Sequence, residues 1–353
     1  MAGNKHLDTL WYTRCSVPTP LSFAAQFGWI DQEFKPDGIV IKSLRESNDP
    51  VERASHYDHN LPHSFRQGGS IPPIWARASG ADTRVIGLSW TDEFQAIITL
   101  PTSGIRSVRD LRGRRFGLPL HETRIDHNRA SALRALLVSL QLDGIAADAV
   151  ERIDLPDHSY PVTGAGEAHE VEFSTPARKR HTYANEVFAL VRGDVDAIYV
   201  KDVRGLEVVK LLGAHIVADL GFHPDPFVRI SNCTPRPLTV NANTIDEHPE
   251  VVARFLRRVS EAAAWARRHP EETNTWIARE TGWSERLVRQ SFGPEAHLHF
   301  DIDLSQDKID GINILKNFLV EHGFLKNDFD TNDWIDSRPL AAIATLPPLR
   351  QAA

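Results

Sequence analysis

The chain has 353 residues, a length that favours two lobes over one core, and its 41% hydrophobic content gives each lobe enough apolar surface to bury. A formal net charge of −7, with no basic block breaking the even mixture of signs, argues against a nucleic-acid partner, and no apolar run approaches the roughly 18 residues that a membrane span requires. Two cysteines, Cys15 and Cys233, cannot build a disulfide framework, so thiols in a reducing compartment are expected.

The segment Met1 to Asp8 lacks the charged and then apolar pattern of a secretory leader, which points to a cytoplasmic protein. Strand-like and helix-like patterns then alternate, predicting an α/β architecture. Thr9 to Tyr12 reads as a strand, Pro20 to Phe27 as a helix and Ile39 to Leu44 as a second strand. The stretch His56 to Gly69 is rich in breakers and polar residues and reads as mobile. Arg84 to Ser89 and Ala96 to Leu100 follow as strands, and Ser107-Val108-Arg109-Asp110 has the capping-box pattern of a short helix, closed by Gly113 before the strand Arg115 to Leu118.

His127 to Gln141 predicts a longer helix. Between Asp157 and Arg180 the pattern dissolves into Pro, Gly, Ser, His and charge, the composition of a long mobile loop able to cover a cleft. Gly164-Ala165-Gly166 within it lacks the strand-to-helix frame of a nucleotide site. Glu186 to Arg192 predicts a helix that Gly193 stops before a strand through Tyr199, and Ile216 to Leu220 is a further strand. From Asp246 onward the chain turns helical, with Val252, Leu256, Val259, Ala263 and Ala266 repeating at the spacing of one buried face, followed by Glu285 to Ser291 and Lys308 to His322. This order implies a discontinuous first lobe, residues 1–103 plus 230–353, an inserted second lobe, 104–229, and a ligand cleft between them.

Chemistry concentrates near the N-terminus. Cys15 sits in Tyr12-Thr13-Arg14-Cys15-Ser16-Val17-Pro18, and the later stretch supplies His56, Arg66 and the pair Gly68-Gly69 before Ser70-Ile71-Pro72-Pro73. A guanidinium is a planar fork suited to an anion with two oxygens, and glycines admit close backbone approach, so that their amides add donors. A thiol beside an imidazole can act as a general acid or, as thiolate, as a nucleophile. Each residue also has a plainer reading: a small buried hydrophobe for Cys15, a surface arginine beside a turn for Arg66.

His56, His59 and His63 have spacings that would share a helical face, but Pro62 interrupts such a helix, and loop-packed histidines are expected in place of a metal site. His297, His299 and Asp301 would share a face if extended, and a polar strand edge is the expectation there. Phe27, Trp29, Phe65, Trp75 and Trp90 are candidates for an aromatic wall or for core.

Two resemblances meet in this chain. The segments Ser107 to Arg115 and Arg192-Gly193-Asp194-Val195-Asp196-Ala197, with the helical C-terminal third, resemble bilobal solute-binding proteins of the sulfonate, nitrate and thiamine-precursor type, which implies a type II periplasmic-binding-protein-like fold. From Asp8-Thr9-Leu10 through Val217-Ala218-Asp219-Leu220-Gly221 to Asn332-Asp333-Trp334 the chain more specifically resembles the 2'-hydroxybiphenyl-2-sulfinate desulfinase family. That resemblance places the catalytic cysteine on Cys15, the histidine on His56, the arginine on Arg66 and the anion-contacting glycine on Gly69. Arg14 and Ser16 stand where the family has Asn and Pro, and His121 to Tyr183 matches least, lacking a tryptophan of the family's aryl pocket.

The resemblance implies a monomeric carbon-sulfur hydrolase that takes a small aromatic sulfinate to arene and sulfite, with no cofactor, metal or membrane partner. Two other readings stand beside it. One is a non-catalytic binding protein for a sulfonate, sulfinate or heteroaromatic anion; the other is a cysteine hydrolase acting on a different carbon-heteroatom bond.

Overall fold

The computed structural model describes residues 7–156 and 183–348. The loop expected between Asp157 and Arg180, with Gly164-Ala165-Gly166, lies outside the described residues. Two compact units form, Met1–Thr91 with Cys233–Glu285 and Glu295–Ala353, and Asp92–Asn232 with Arg286–Pro294. The first boundary falls earlier than residue 103 because Gln95–Thr99 is a strand of the second unit's sheet.

The first unit contains β1 (Thr9–Arg14), β2 (Val40–Ser43), β3 (Ser64–Gln67), β4 (Thr83–Ser89) and the late strand β10 (Arg236–Asn241). Their order is β2-β1-β3-β10-β4, with β1 parallel to β2 and β3, and β10 antiparallel to β3 and β4. Register places Thr13 beside Arg66 on one side of β3 and Thr239 beside Arg66 on the other. All four residues of β3 are buried, as expected of a central strand covered on both faces.

Helix α1 (Pro20–Gln26) starts because Thr19 accepts from the Ser22 amide and Pro20 presets the first helical φ. α2 (Trp29–Phe34) follows it. α3 (Pro50–Asp58) repeats the device of α1 with Asp49 as cap, and stops at His59, whose φ of 58° is left-handed. α4 (Ile71–Ala78) leads from β3 towards β4.

In the second unit, β5 (Gln95–Thr99), β6 (Arg115–Leu120), β7 (Glu151–Pro156), β8 (Ala197–Lys201) and β9 (His215–Asp219) pair in the order β7-β6-β8-β5-β9. Among its helices are α5 (His127–Leu142), α6 (Ala184–Arg192) and α7 (Asp202–Leu212). Phe94, Ala96, Ile98, Leu190, Ile198 and Val200 belong to its core. The capping-box segment forms only a single 3-10 turn, Val108–Leu111, with the Asp110 carboxylate accepting from the Ser107 amide at 2.9 Å.

Back in the first unit, α8 (Ala242–Glu247) precedes the long α9 (Pro249–Arg268) and α10 (Pro270–Thr281). The five residues that set the helical period are buried on one face of α9, as expected. The anticipated strand edge at His297 to Asp301 is instead a 3-10 turn, Ala296–Leu298: Thr91 donates to the His299 carbonyl, and the Asp301 carboxylate pairs with Arg267. No described helix is long and apolar enough to cross a membrane.

Candidate active site

Cys15, His56, Arg66, Gly68 and Gly69 all come together in the first unit. Cys15 follows the carboxyl end of β1, its amide 3.4 Å from the Gln67 carbonyl at the end of β3. β2 lies on one side of β1 and β3 on the other, so the sheet order reverses here, the position at which open α/β sheets receive ligands. Both cysteines are thiols, and Cys15 is half-buried.

His56 stands in the last turn of α3 and is buried. Its Nε2 lies 3.7 Å from Cys15 Sγ, and its Nδ1 lies 2.8 Å from the hydroxyl of Thr13, which has no exposed surface. Of the stretch expected to be mobile, His56–Asp58 end α3 and Ser64–Gln67 form β3. The three histidines diverge as soon as the helix ends: His59 meets the Thr239 hydroxyl at 3.0 Å, and His63 the Thr244 hydroxyl at 3.2 Å. Among the described residues no group of three or more His, Cys, Asp or Glu is placed to hold a metal ion.

Arg66 is 1% exposed. Its Nε donates to the His56 carbonyl and its Nη1 to the Gly69 carbonyl, each at 2.9 Å, while Nη2 is buried with no hydrogen-bond partner among the described residues. Two of its five N–H donors are therefore taken by backbone, and both N–H groups of Nη2 remain without a protein acceptor among the described residues. Burial pushes the guanidinium below its ordinary range, opposed by Cys15, Tyr57 and Cys233, none of them a carboxylate. A buried cation without a carboxylate is costly unless an anion completes it.

The glycines also have structural uses beyond the amide donors expected of them. Gly68 is required by the thiol itself, since a Cβ there would collide with the Cys15 sulfur. Gly69 turns its carbonyl to Arg66. Both precede α4, whose second and third residues, Pro72 and Pro73, have no amide N–H, so donors near this helix start come from the residues before them.

Several neighbours escaped the sequence reading. Thr13 could have been found from strand alternation, which puts it two residues before Cys15 on the same side. His59 and Cys233 have no such signal; burial, aided by the Arg66 charge, lowers His59 from 6.5 to about 3, keeping it a neutral ring. Arg14 instead pairs with the buried Glu280 of α10, which Arg45 also reaches at 3.0 Å. Of the proposed aromatic wall, Phe65 stacks on Phe255 in the core, and Phe27 and Trp29 cluster with Trp265 and Trp276.

Comparison with known proteins gives a consistent picture. Residues 179–273 match the family model described as NMT1/THI5 like. The 2'-hydroxybiphenyl-2-sulfinate desulfinase of Rhodococcus erythropolis is 26% identical over 352 residues, covering 93% of this chain and 91% of that protein. A crystal structure of a DSZB point mutant in complex with biphenyl-2-sulfinic acid superposes with a TM-score of 0.74 at 23% identity, over 96% of this chain and 99% of the other. The periplasmic aliphatic sulphonate binding protein SsuA of Escherichia coli gives a TM-score of 0.65 at 16% identity, over 93% and 97%. The chain is similar to the 2'-hydroxybiphenyl-2-sulfinate desulfinases along nearly its whole length and has the bilobal α/β fold also seen in periplasmic sulfonate-binding proteins.

Proposed function

We propose that this protein is a desulfinase that hydrolyses the carbon-sulfur bond of a small aromatic sulfinate. The observation that carries the reading is a buried guanidinium with an unpartnered Nη2 and no carboxylate among the charges that offset its burial, set beside a thiol-imidazole pair, in a chain similar to desulfinases. An anion site alone would serve a binding protein. The Cys15–His56 pair adds a proton donor that binding does not need.

In the proposed reaction Arg66 Nη2 and the amides near Gly69 hold the two sulfinate oxygens. Cys15 gives its proton to the ring carbon as the carbon-sulfur bond breaks, the bonding pair staying with carbon, and sulfur leaves as sulfur dioxide. Water adds to sulfur dioxide to give hydrogen sulfite and a proton, and the thiolate regains a proton. The sum is aryl sulfinate plus water to arene plus hydrogen sulfite. His56 Nε2 is positioned to stabilise the sulfur as it loses its proton.

The test is sulfite release over a panel of aryl sulfinates, with the matching sulfonates and alkyl sulfinates as controls. Catalytic sulfite and one equivalent of arene from an aryl sulfinate are expected. Tight binding of the panel with no sulfite would replace this reading with the binding-protein one.

A further inference from the structure

We propose that Thr13 is a positioning residue of the site: its hydroxyl holds His56 by Nδ1 so that Nε2 stays turned to the Cys15 sulfur, and its neutrality keeps the pair as thiol and imidazole. The inference deepens the desulfinase reading and rests on it for the meaning of turnover. The geometry is a chain of three, Thr13 Oγ1 to His56 Nδ1 at 2.8 Å and His56 Nε2 to Cys15 Sγ at 3.7 Å.

Thr13 is suited to fix a ring. It lies in β1 between β2 and β3, it is buried, and its branched Cβ restricts χ1, so the hydroxyl has little freedom to leave Nδ1. Because the two ring nitrogens sit on opposite edges of the imidazole, holding one aims the other. A carboxylate in this place would accept only, fix the proton on Nδ1 and stabilise imidazolium, favouring a thiolate partner. A hydroxyl both donates and accepts and carries no charge, so it aims the ring without that bias.

Titratable groups near the pair among the described residues include Tyr57, edge-on to His56 at 5.1 Å, and His59, both from the α3 end, Arg66 on β3, and Cys233, which acts on Arg66. Arg14, next in β1, is paired with Glu280. Arg66 is a cation that favours thiolate, and the bond to Thr13 bears on whether His56 joins it.

The experiment compares Thr13→Val, which keeps the shape and removes the hydroxyl, with Thr13→Ser, which keeps the hydroxyl. Alkylation of Cys15 by iodoacetamide is followed against pH by peptide mass spectrometry, so that Cys233 does not contribute, alongside kcat and KM for sulfite release. In Thr13→Val, kcat is expected to fall about tenfold or more with KM within about twofold. Its alkylation midpoint should move up by at least about half a pH unit, and Thr13→Ser should restore both properties. A wild-type profile in Thr13→Val, or equal losses in the two variants, overturns the proposal.

If Thr13→Val does not fold, nitrogen NMR of the wild-type His56 ring decides. A neutral ring hydrogen-bonded at Nδ1 at neutral pH supports the proposal, and an imidazolium overturns it. Failure of the wild type to release sulfite would strike the desulfinase reading alone, because alkylation and ring spectra need no turnover.

Discussion

At the scale of single residues, the site is a set of groups whose polar valences are mostly filled by the protein, leaving a few donors for a ligand. Arg66 shows this best: Nε and Nη1 are tied to the carbonyls of His56 and Gly69, which fixes the plane of the guanidinium before any anion arrives. Such preorganisation is lost in Arg66→Lys, because an ammonium is a compact donor that can neither bridge two carbonyls in one plane nor offer a planar fork. We expect kcat/KM for an aryl sulfinate to fall about a hundredfold or more in this variant, with thermal unfolding also shifted downward. Unchanged steady-state kinetics would remove Arg66 from anion binding. That Cys15, His56, Arg66 and Gly69 are neighbours was legible through the resemblance, and their roles belong to the proposed function. Their hydrogen bonding was not legible, because which N–H of Arg66 is taken depends on where two carbonyls fall in space.

The elements explain why part of the fold was hidden. β3 has four residues, all buried, and is flanked by His63 and by Gly68-Gly69, so it shows neither alternation nor length and reads as loop. β10 contains Pro237, which argues against a strand with neighbours on both sides, yet it pairs with both β3 and β4. α9, by contrast, repeats its apolar period over 20 residues and was read correctly. The end of α3 yields a test at this scale. His59 closes that helix with a left-handed φ and is buried as a neutral ring, lowered from 6.5 to about 3. The unfolded chain takes up this proton below its ordinary pKa while the folded chain does not, so stability is full above that value and falls as pH drops through the window down to about 3. At about 1.4 kcal/mol per unit, about 2 kcal/mol is lost between about pH 6.5 and about pH 5. In His59→Asn, which tolerates the left-handed conformation and does not titrate, urea unfolding should show a correspondingly shallower decline over this interval. An equal slope in wild type and variant would show that His59 takes up a proton in the folded state.

For the whole molecule, the α/β fold shared with sulfonate-binding proteins brings Cys15, His56 and Arg66 together at the reversal of the first sheet, and in the proposed function the thiol and imidazole turn a place that holds an anion into one that acts on it. The two units were legible from the alternation of strand and helix patterns, but the first boundary was displaced because membership of Gln95–Thr99 is decided by its partners β8 and β9. The distinction between holding and cleaving rests on one sulfur atom. The most direct measurement is therefore a single-turnover comparison of wild type and Cys15→Ser with biphenyl-2-sulfinate, recording bound ligand and released sulfite in the same samples. A serine hydroxyl fits the site but is far too weak an acid to replace the thiol. Both proteins are expected to bind the sulfinate with similar affinity, the wild type to release one equivalent of sulfite, and the serine variant to be slower by about a thousandfold or more. Sulfite release from Cys15→Ser at the wild-type rate would contradict the proposed role of the thiol.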